Sequence, residues 1–203
     1  MKTMVVTSSG PQEGKSTTAI SLAIAMAQSG NRVLLIDTDM RRPRLHKAFG
    51  VPNDSGVSSL VVGDSDLEKT VKSTEVPGLF LLPCGPIPPN PAELLHTQTF
   101  RELVTRLGEG YDRLIFDSPP IGAVADALVL ATQVSGTILV LKGGKTHRDV
   151  ARRAVRSLKD VNARIFGAVL NHIDLGDSKF GDYYYAYRRY GYYYGEKKDE
   201  VPS

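Results

Sequence analysis

Nine consecutive residues near the start of the chain, Ser9-Gly10-Pro11-Gln12-Glu13-Gly14-Lys15-Ser16-Thr17, have the types and spacing of a loop that wraps phosphate. An apolar run, Met4–Thr7, precedes them and an alanine-rich helical stretch follows. In that context, backbone N–H groups and a helix N-terminus form a concave anion site. Lys15 is placed for β- and γ-phosphates, and the Ser16 hydroxyl for Mg²⁺. The first glycine of the general pattern is replaced by Ser9, so Gly10 must supply the backbone freedom. Two more apolar runs end in carboxylates: Val33–Ile36 leads into Asp37-Thr38-Asp39, and Leu114–Phe116 into Asp117. In an open parallel sheet, ligands bind beyond the carboxyl ends of the strands. Asp37, Asp39 and Asp117 are therefore expected to converge on the phosphates, with Mg²⁺ between them to offset their repulsion, held mostly through water.

A second concentration of reactive groups lies at the other end. Eight of the nine tyrosines, Tyr183, Tyr184, Tyr185, Tyr187, Tyr190, Tyr192, Tyr193 and Tyr194, fall in the run DYYYAYRRYGYYYG. Without helix or strand periodicity, and with interspersed glycines and charges, the run reads as a solvated, flexible tail. By itself it could be an aggregation-prone or stacking segment. Beside a nucleotide loop, its phenols become candidate phosphoryl acceptors.

These residues need a scaffold, and the apolar pattern supplies one. Strand patterns at Met4–Thr7, Arg32–Ile36, Leu79–Pro83, Arg113–Phe116, Thr137–Leu141 and Arg164–Asn171 alternate with helical ones. That alternation predicts an α/β fold: one mostly parallel central sheet with helices on both faces. The helix Ser16–Gln28 closes at Gly30. A second opens at Asn90-Pro91-Ala92-Glu93, where asparagine caps, proline takes the first position and glutamate returns to the cap. A third opens at Thr146 with Asp149 three residues on. The reading is a single domain over residues 1–177 and a tail over 178–203.

At 203 residues, 41% hydrophobic and 23% charged, the chain has the composition of a soluble globular domain. A net charge of +3 is too small to argue for nucleic acid. One cysteine, Cys84, excludes an internal disulfide and fits a reducing compartment; it ends the apolar run LFLLPC and is expected to be buried. No stretch is long and apolar enough to span a membrane. The basic residues Arg148, Arg152, Arg153, Arg156 and Lys159 read first as a solvated helix face and second as a docking surface. His46, His96, His147 and His172 have no metal-ligand spacing.

Taken as a set, the phosphate loop, the run ending Asp37-Thr38-Asp39-Met40-Arg41-Arg42, the strand Leu114–Asp117 with Ser118-Pro119-Pro120, and the terminal tyrosines resemble a bacterial tyrosine kinase. Members of that family are the cytoplasmic kinases of exopolysaccharide and capsule export systems. They are P-loop ATPases related to partition and septum-site proteins. Arg42-Pro43-Arg44-Leu45-His46 and Gly85–Leu95 belong to the same likeness, which covers nearly the whole chain. The resemblance implies ATP and Mg²⁺ as cofactors. Lys15 and Ser16 match the phosphate and magnesium contacts. Asp37 and Asp39 match an acidic pair in which one residue organises the metal and the other takes the tyrosine proton. Asp117 matches the third acidic position, and Asn171 the adenine contact. It further implies γ-phosphate transfer to the tail tyrosines, in trans, and to other proteins. The implied partners are a membrane adaptor or chain-length-determinant protein that activates the kinase at the inner face of the membrane, neighbouring kinase subunits in a ring, and a cognate tyrosine phosphatase. Relatives carry a glutamate–arginine segment ahead of the first strand, whereas this chain begins almost at the strand.

Two other readings stay open at this point. A partition-type ATPase usually has a lysine five residues before the invariant one, and Gly10 stands there. A non-catalytic module with a stacking tail has no need of Lys15, Asp37 and Asp117.

Overall fold

The computed structural model describes residues 2–173. The tyrosines Tyr183 to Tyr194 and the expected boundary at 177/178 lie outside the described residues. Along the chain run β1 (Thr3–Ser8), α1 (Lys15–Gln28), β2 (Val33–Asp37), α2 (Leu45–Ala48), α3 (Val57–Val62), α4 (Leu67–Thr70), β3 (Lys72–Ser73) and β4 (Leu79–Leu82). There follow α5 (Pro91–His96), α6 (Gln98–Gly110), β5 (Arg113–Asp117), α7 (Asp126–Ala131), β6 (Thr137–Lys142), α8 (Arg148–Asp160) and β7 (Ile165–Asn171). The strands form one sheet in the order β3-β4-β2-β5-β1-β6-β7, and every pairing is parallel except β3 with β4.

Alternate residues of each strand feed opposite faces, as the pleat requires. Met4, Val6, Val33, Leu35, Ile115 and Val140 pack with Ala19, Ala23 and Ala27 of α1 on one side. Val5, Leu34, Ile36, Leu114, Phe116 and Leu139 pack on the other with Phe100 of α6, Leu130 of α7 and Leu158 of α8. The small alanine face of α1 lets that helix lie close to the sheet, and its N-terminus is aimed from the end of β1. Gly30, at φ +85°, closes the helix by donating to the Ala27 carbonyl at 2.9 Å.

All six expected strands form. Two helix starts differ in detail. Asn90 holds the N-cap position of α5 with Pro91 in the first turn, as expected, but its side chain accepts no backbone N–H; its amide donates to the Glu93 carboxylate at 2.9 Å. The third helix begins at Arg148 rather than Thr146, because the Thr146 hydroxyl is engaged elsewhere, accepting from the Lys142 N–H at 2.9 Å and donating to Glu13. Helix α6 was not expected; Thr97 caps it, accepting from the Phe100 N–H at 3.1 Å. Arg148, Arg152, Arg153, Arg156 and Lys159 are all exposed on α8, the solvated face of the first reading. Cys84 is fully buried, and burial pushes its thiol up to about 12.

Candidate active site

The phosphate loop joins β1 to α1 and is held from within. Glu13, 6% exposed, turns its carboxylate into the loop. It accepts from the Ser9 N–H at 2.8 Å, the Gly10 N–H at 3.1 Å and the Ser9 hydroxyl at 2.8 Å, and from the Thr146 hydroxyl of the β6–α8 loop. Sequence reasoning placed Glu13 among the nucleotide contacts; the structure gives its side chain to the loop itself. Gly14, at φ +93°, starts α1, and a Cβ there would lie 1.9 Å from the Asn171 amide nitrogen. Asn171 therefore packs on the loop from the end of β7, donating to the Glu13 carbonyl at 3.1 Å and accepting from the His172 N–H at 2.9 Å. Gln12, at φ 59°, completes the turn.

Adjacent parallel strands bring the acidic residues to the same edge. Asp37 and Asp117 are register partners at the ends of β2 and β5 and are 0% and 1% exposed. Asp39 follows at 5%. The Lys15 ammonium lies among them, 2.8 Å from Asp39 Oδ2 and 3.6 Å from Asp117 Oδ1, and it donates to Ser16 Oγ at 3.2 Å. Burial works against the lysine's charge. The carboxylates of Asp117, Asp39 and Asp37 outweigh that and hold Lys15 above the ordinary lysine range.

The three aspartates are not equivalent. Asp37 is tied to the backbone: Oδ2 accepts from the N–H groups of Arg44 (3.1 Å) and Leu45 (3.0 Å), and Oδ1 from that of Asp39 (3.2 Å). Burial first, and then the charge of Asp117, still push it up to about 7. Asp39 accepts one backbone bond, from Arg42 at 3.1 Å, and otherwise faces Lys15. Neither oxygen of Asp117 has a hydrogen-bond partner. Burial pushes Asp117 up to about 6, against the pull of Lys15 and Ser16. Buried acceptors left without donors cost free energy, so this carboxylate is built for a partner.

That observation fits a divalent cation. Among the described residues no three acidic, histidine or cysteine side chains are grouped so as to hold a metal ion by themselves; Mg²⁺ keeps several waters and takes further oxygens from phosphate. Sequence reasoning missed Asp126, which is 1% exposed and accepts from Arg41 at 3.1 Å, and Thr146, whose role depends on a contact 133 residues distant.

The comparisons agree with this geometry. Residues 1–142 match the AAA domain family. The tyrosine-protein kinase YwqD of Bacillus subtilis (strain 168) is 43% identical over 185 residues, covering 91% of this chain and 77% of YwqD. The crystal structure of the chimerical protein CapA2B2 superposes with a TM-score of 0.83 at 36% identity, covering 85% of this chain and 76% of that one. The septum site-determining protein MinD of Pyrococcus horikoshii OT3, solved with Mg-ADP, shares the fold alone, with a TM-score of 0.73 at 22% identity over 87% of this chain and 72% of MinD. No described helix is long and apolar enough to cross a membrane. With a phosphate loop, three strand-end aspartates and these relatives, the chain belongs to the bacterial tyrosine-protein kinases within the P-loop ATPases.

Proposed function

We propose that the chain transfers the γ-phosphate of MgATP to the tyrosines of its own C-terminal cluster, Tyr183 to Tyr194, on a neighbouring copy, and to other proteins that control exopolysaccharide or capsule polymerisation. The observation that carries this reading is the Lys15 ammonium set between Asp39 and Asp117 at the head of the phosphate loop. A partition-type ATPase without kinase activity is disfavoured by Gly10 at the position of the signature lysine and by eight tail phenols.

Phosphoryl transfer asks the protein for positioning and charge neutralisation rather than covalent chemistry. The loop N–H groups from Gly10 to Thr17 and the α1 N-terminus bind the phosphates, and Lys15 leaves its carboxylates for the β- and γ-oxygens. Ser16, Asp117 and Asp37 would hold Mg²⁺, directly or through water, and the bound ion would neutralise charge developing on the transferred group. Asn171, whose amide packs on the loop at Glu13, is assigned the adenine contact.

A phenol with a pKa of about 10 needs a base as its oxygen attacks. Asp39 is that base: of the acidic pair it has one backbone bond against three for Asp37, and it becomes free when Lys15 moves. The elevation of Asp37 to about 7 favours the exchanged assignment, but its three N–H bonds hold it to the scaffold. Asp39→Asn should lower transfer far more than ATP affinity; equal losses would assign Asp39 to the metal. The activity itself is tested by mass spectrometry of residues 178–203 after incubation with MgATP. Phosphate on tyrosine supports the reading, and released phosphate with an unmodified tail overturns it. An activating membrane adaptor, a ring of subunits and an opposing tyrosine phosphatase are the partners of this function.

A further inference from the structure

Beside the acidic centre lies a cleft of about 840 Å³ that the transfer chemistry leaves unused. This volume is within the range of ligand sites, roughly 300–1,000 Å³. Arg41, Arg42, Arg44 and Lys47 line it together with Ile87, and no acidic residue is among its lining groups. Arg42, Arg44 and Lys47 are exposed and form no ion pair among the described residues, so three cations face one space without an anion. Ile87 is 62% exposed, a large apolar side chain at the rim of a charged cleft.

The cleft is held open by its frame. Asn53 grips the opposite wall at both ends of its amide, donating to the Gly85 carbonyl and accepting from the Gly85 N–H, each at 2.9 Å. Gly85, at φ +81°, and Gly56 bring two backbones into contact; a Cβ on Gly56 would lie 2.1 Å from the Gly85 nitrogen. The basic wall is fastened to the active site, since the N–H groups of Arg42 and Arg44 are donors to Asp39 and Asp37. A segment with one tyrosine at Asp39 therefore lays its neighbouring residues along Arg42, Arg44 and Lys47.

The geometry points to a phosphotyrosine-binding cleft: Arg42, Arg44 and Lys47 hold an already modified tyrosine of a second copy's tail, with Ile87 against its ring, while a nearby tyrosine of the same tail occupies the active site. This rests on the kinase reading and adds an order to it. The occupant follows from complementarity. The acceptor run has eight tyrosines within twelve residues, so every modified ring has an unmodified one close by. Each phosphate monoester brings about −1.5 to −2 charge and three acceptor oxygens to an all-donor wall. The first phosphate is then added slowly and later ones quickly.

The test uses the full chain with its eight tail tyrosines changed to phenylalanine, saturated with MgADP, and labelled peptides of residues 181–195 with and without one phosphotyrosine. Fluorescence anisotropy should show the phosphopeptide binding about tenfold more tightly or better, as expected of charge-assisted hydrogen bonds. Arg42→Ala, Arg44→Ala and Lys47→Ala should each reduce that preference several-fold and leave the unmodified peptide unaffected, because alanine keeps the backbone N–H groups. Arg153→Ala, on α8, should change neither. Equal binding of the two peptides overturns the proposal. So does a preference abolished by Lys15→Met, which would put the phosphate in the nucleotide loop. So does one matched by free phenyl phosphate at equal concentration, which would show a general anion site. The assay involves no transfer, so a kinase that fails to label tyrosine and a cleft that fails to bind phosphotyrosine are separate results.

Discussion

Lys15 is the counter-ion of the carboxylates in this structure and the phosphate ligand in the proposed reaction, and both roles depend on its charge. Lys15→Met should abolish tyrosine labelling while the circular dichroism spectrum stays that of the parent; an active variant would remove Lys15 from the mechanism. The opposite sign is expected for stability at Asp117. A carboxylate raised from its ordinary value to about 6 keeps in the folded state a proton that the unfolded chain has lost. The unfolded state then binds fewer protons between pH 4 and 6, so this group's contribution to stability falls as pH rises through that window. Two pK units correspond to on the order of 3 kcal/mol. Asp117→Asn removes the ionisation at a site where neither oxygen has a hydrogen bond to lose. In the absence of nucleotide and Mg²⁺, the variant's melting temperature should exceed the parent's by on the order of 5 °C at pH 7.5, and the gap should close near pH 4. A gap constant with pH would show that Asp117 is not the titrating group. Kinase activity should be lost at every pH.

At the scale of elements, the phosphate loop is one part of a three-way joint, because Glu13 connects it to β6–α8 through Thr146 and Asn171 connects it to β7. Thr146→Val keeps the shape, removes the hydroxyl from Glu13 and leaves the Lys142 N–H without its acceptor, a loss of about 1–3 kcal/mol. Calorimetry should then find MgATP binding weakened by about 3–10-fold, with Thr146→Ser restoring it; unchanged affinity in the valine variant would sever the joint from nucleotide binding. This joint also marks the limit of what the sequence discloses. Strands β1, β2, β4 and β5 were legible because each is a short, largely buried apolar run, β6 and the exposed edge strand β7 because their apolar, β-branched composition still reads as strand, and Asp37 and Asp117 could be placed because strand ends gather ligands. Helix α6 went unread although its signals were present: Phe100, Leu103, Val104 and Leu107 recur at helical spacing, and Thr97 three residues before Phe100 was a usable cap. The tie from Glu13 to Thr146 was illegible: the two are 133 residues apart, and no local spacing encodes it, although the partners of Glu13 within the loop, Ser9 and Gly10, are local. The basic cleft was hidden for the same reason, since Asn53 and Gly85 close it across 32 residues.

For the molecule as a whole, the decisive quantity is the charge it accumulates. The chain starts at a formal +3. Each phosphotyrosine adds about −1.5 to −2 at neutral pH, so full modification of the eight tail tyrosines brings it to roughly −9 to −13. In the proposed transfer between copies, a tail seated at a neighbour's active site would lie against Asp37, Asp39 and Asp117 and a fresh triphosphate. In the proposed cleft a first phosphate would be retained by Arg42, Arg44 and Lys47, but three cations cannot offset eight dianions. Repulsion therefore grows with each later transfer until the tail leaves, and unmodified chains should associate while heavily modified ones separate. Because the effect is cumulative, it should follow the number of phosphotyrosines and not the identity of any one. Multi-angle light scattering at modest salt, with the activating adaptor segment supplied, should show mass falling stepwise across variants that retain two, four, six or eight tail tyrosines after incubation with MgATP. Raising the salt should blunt the trend, since repulsion between charges in water is screened within about 10 Å at 0.1 M. Equal mass before and after full modification would sink the switch, and the tail would then signal to a separate reader.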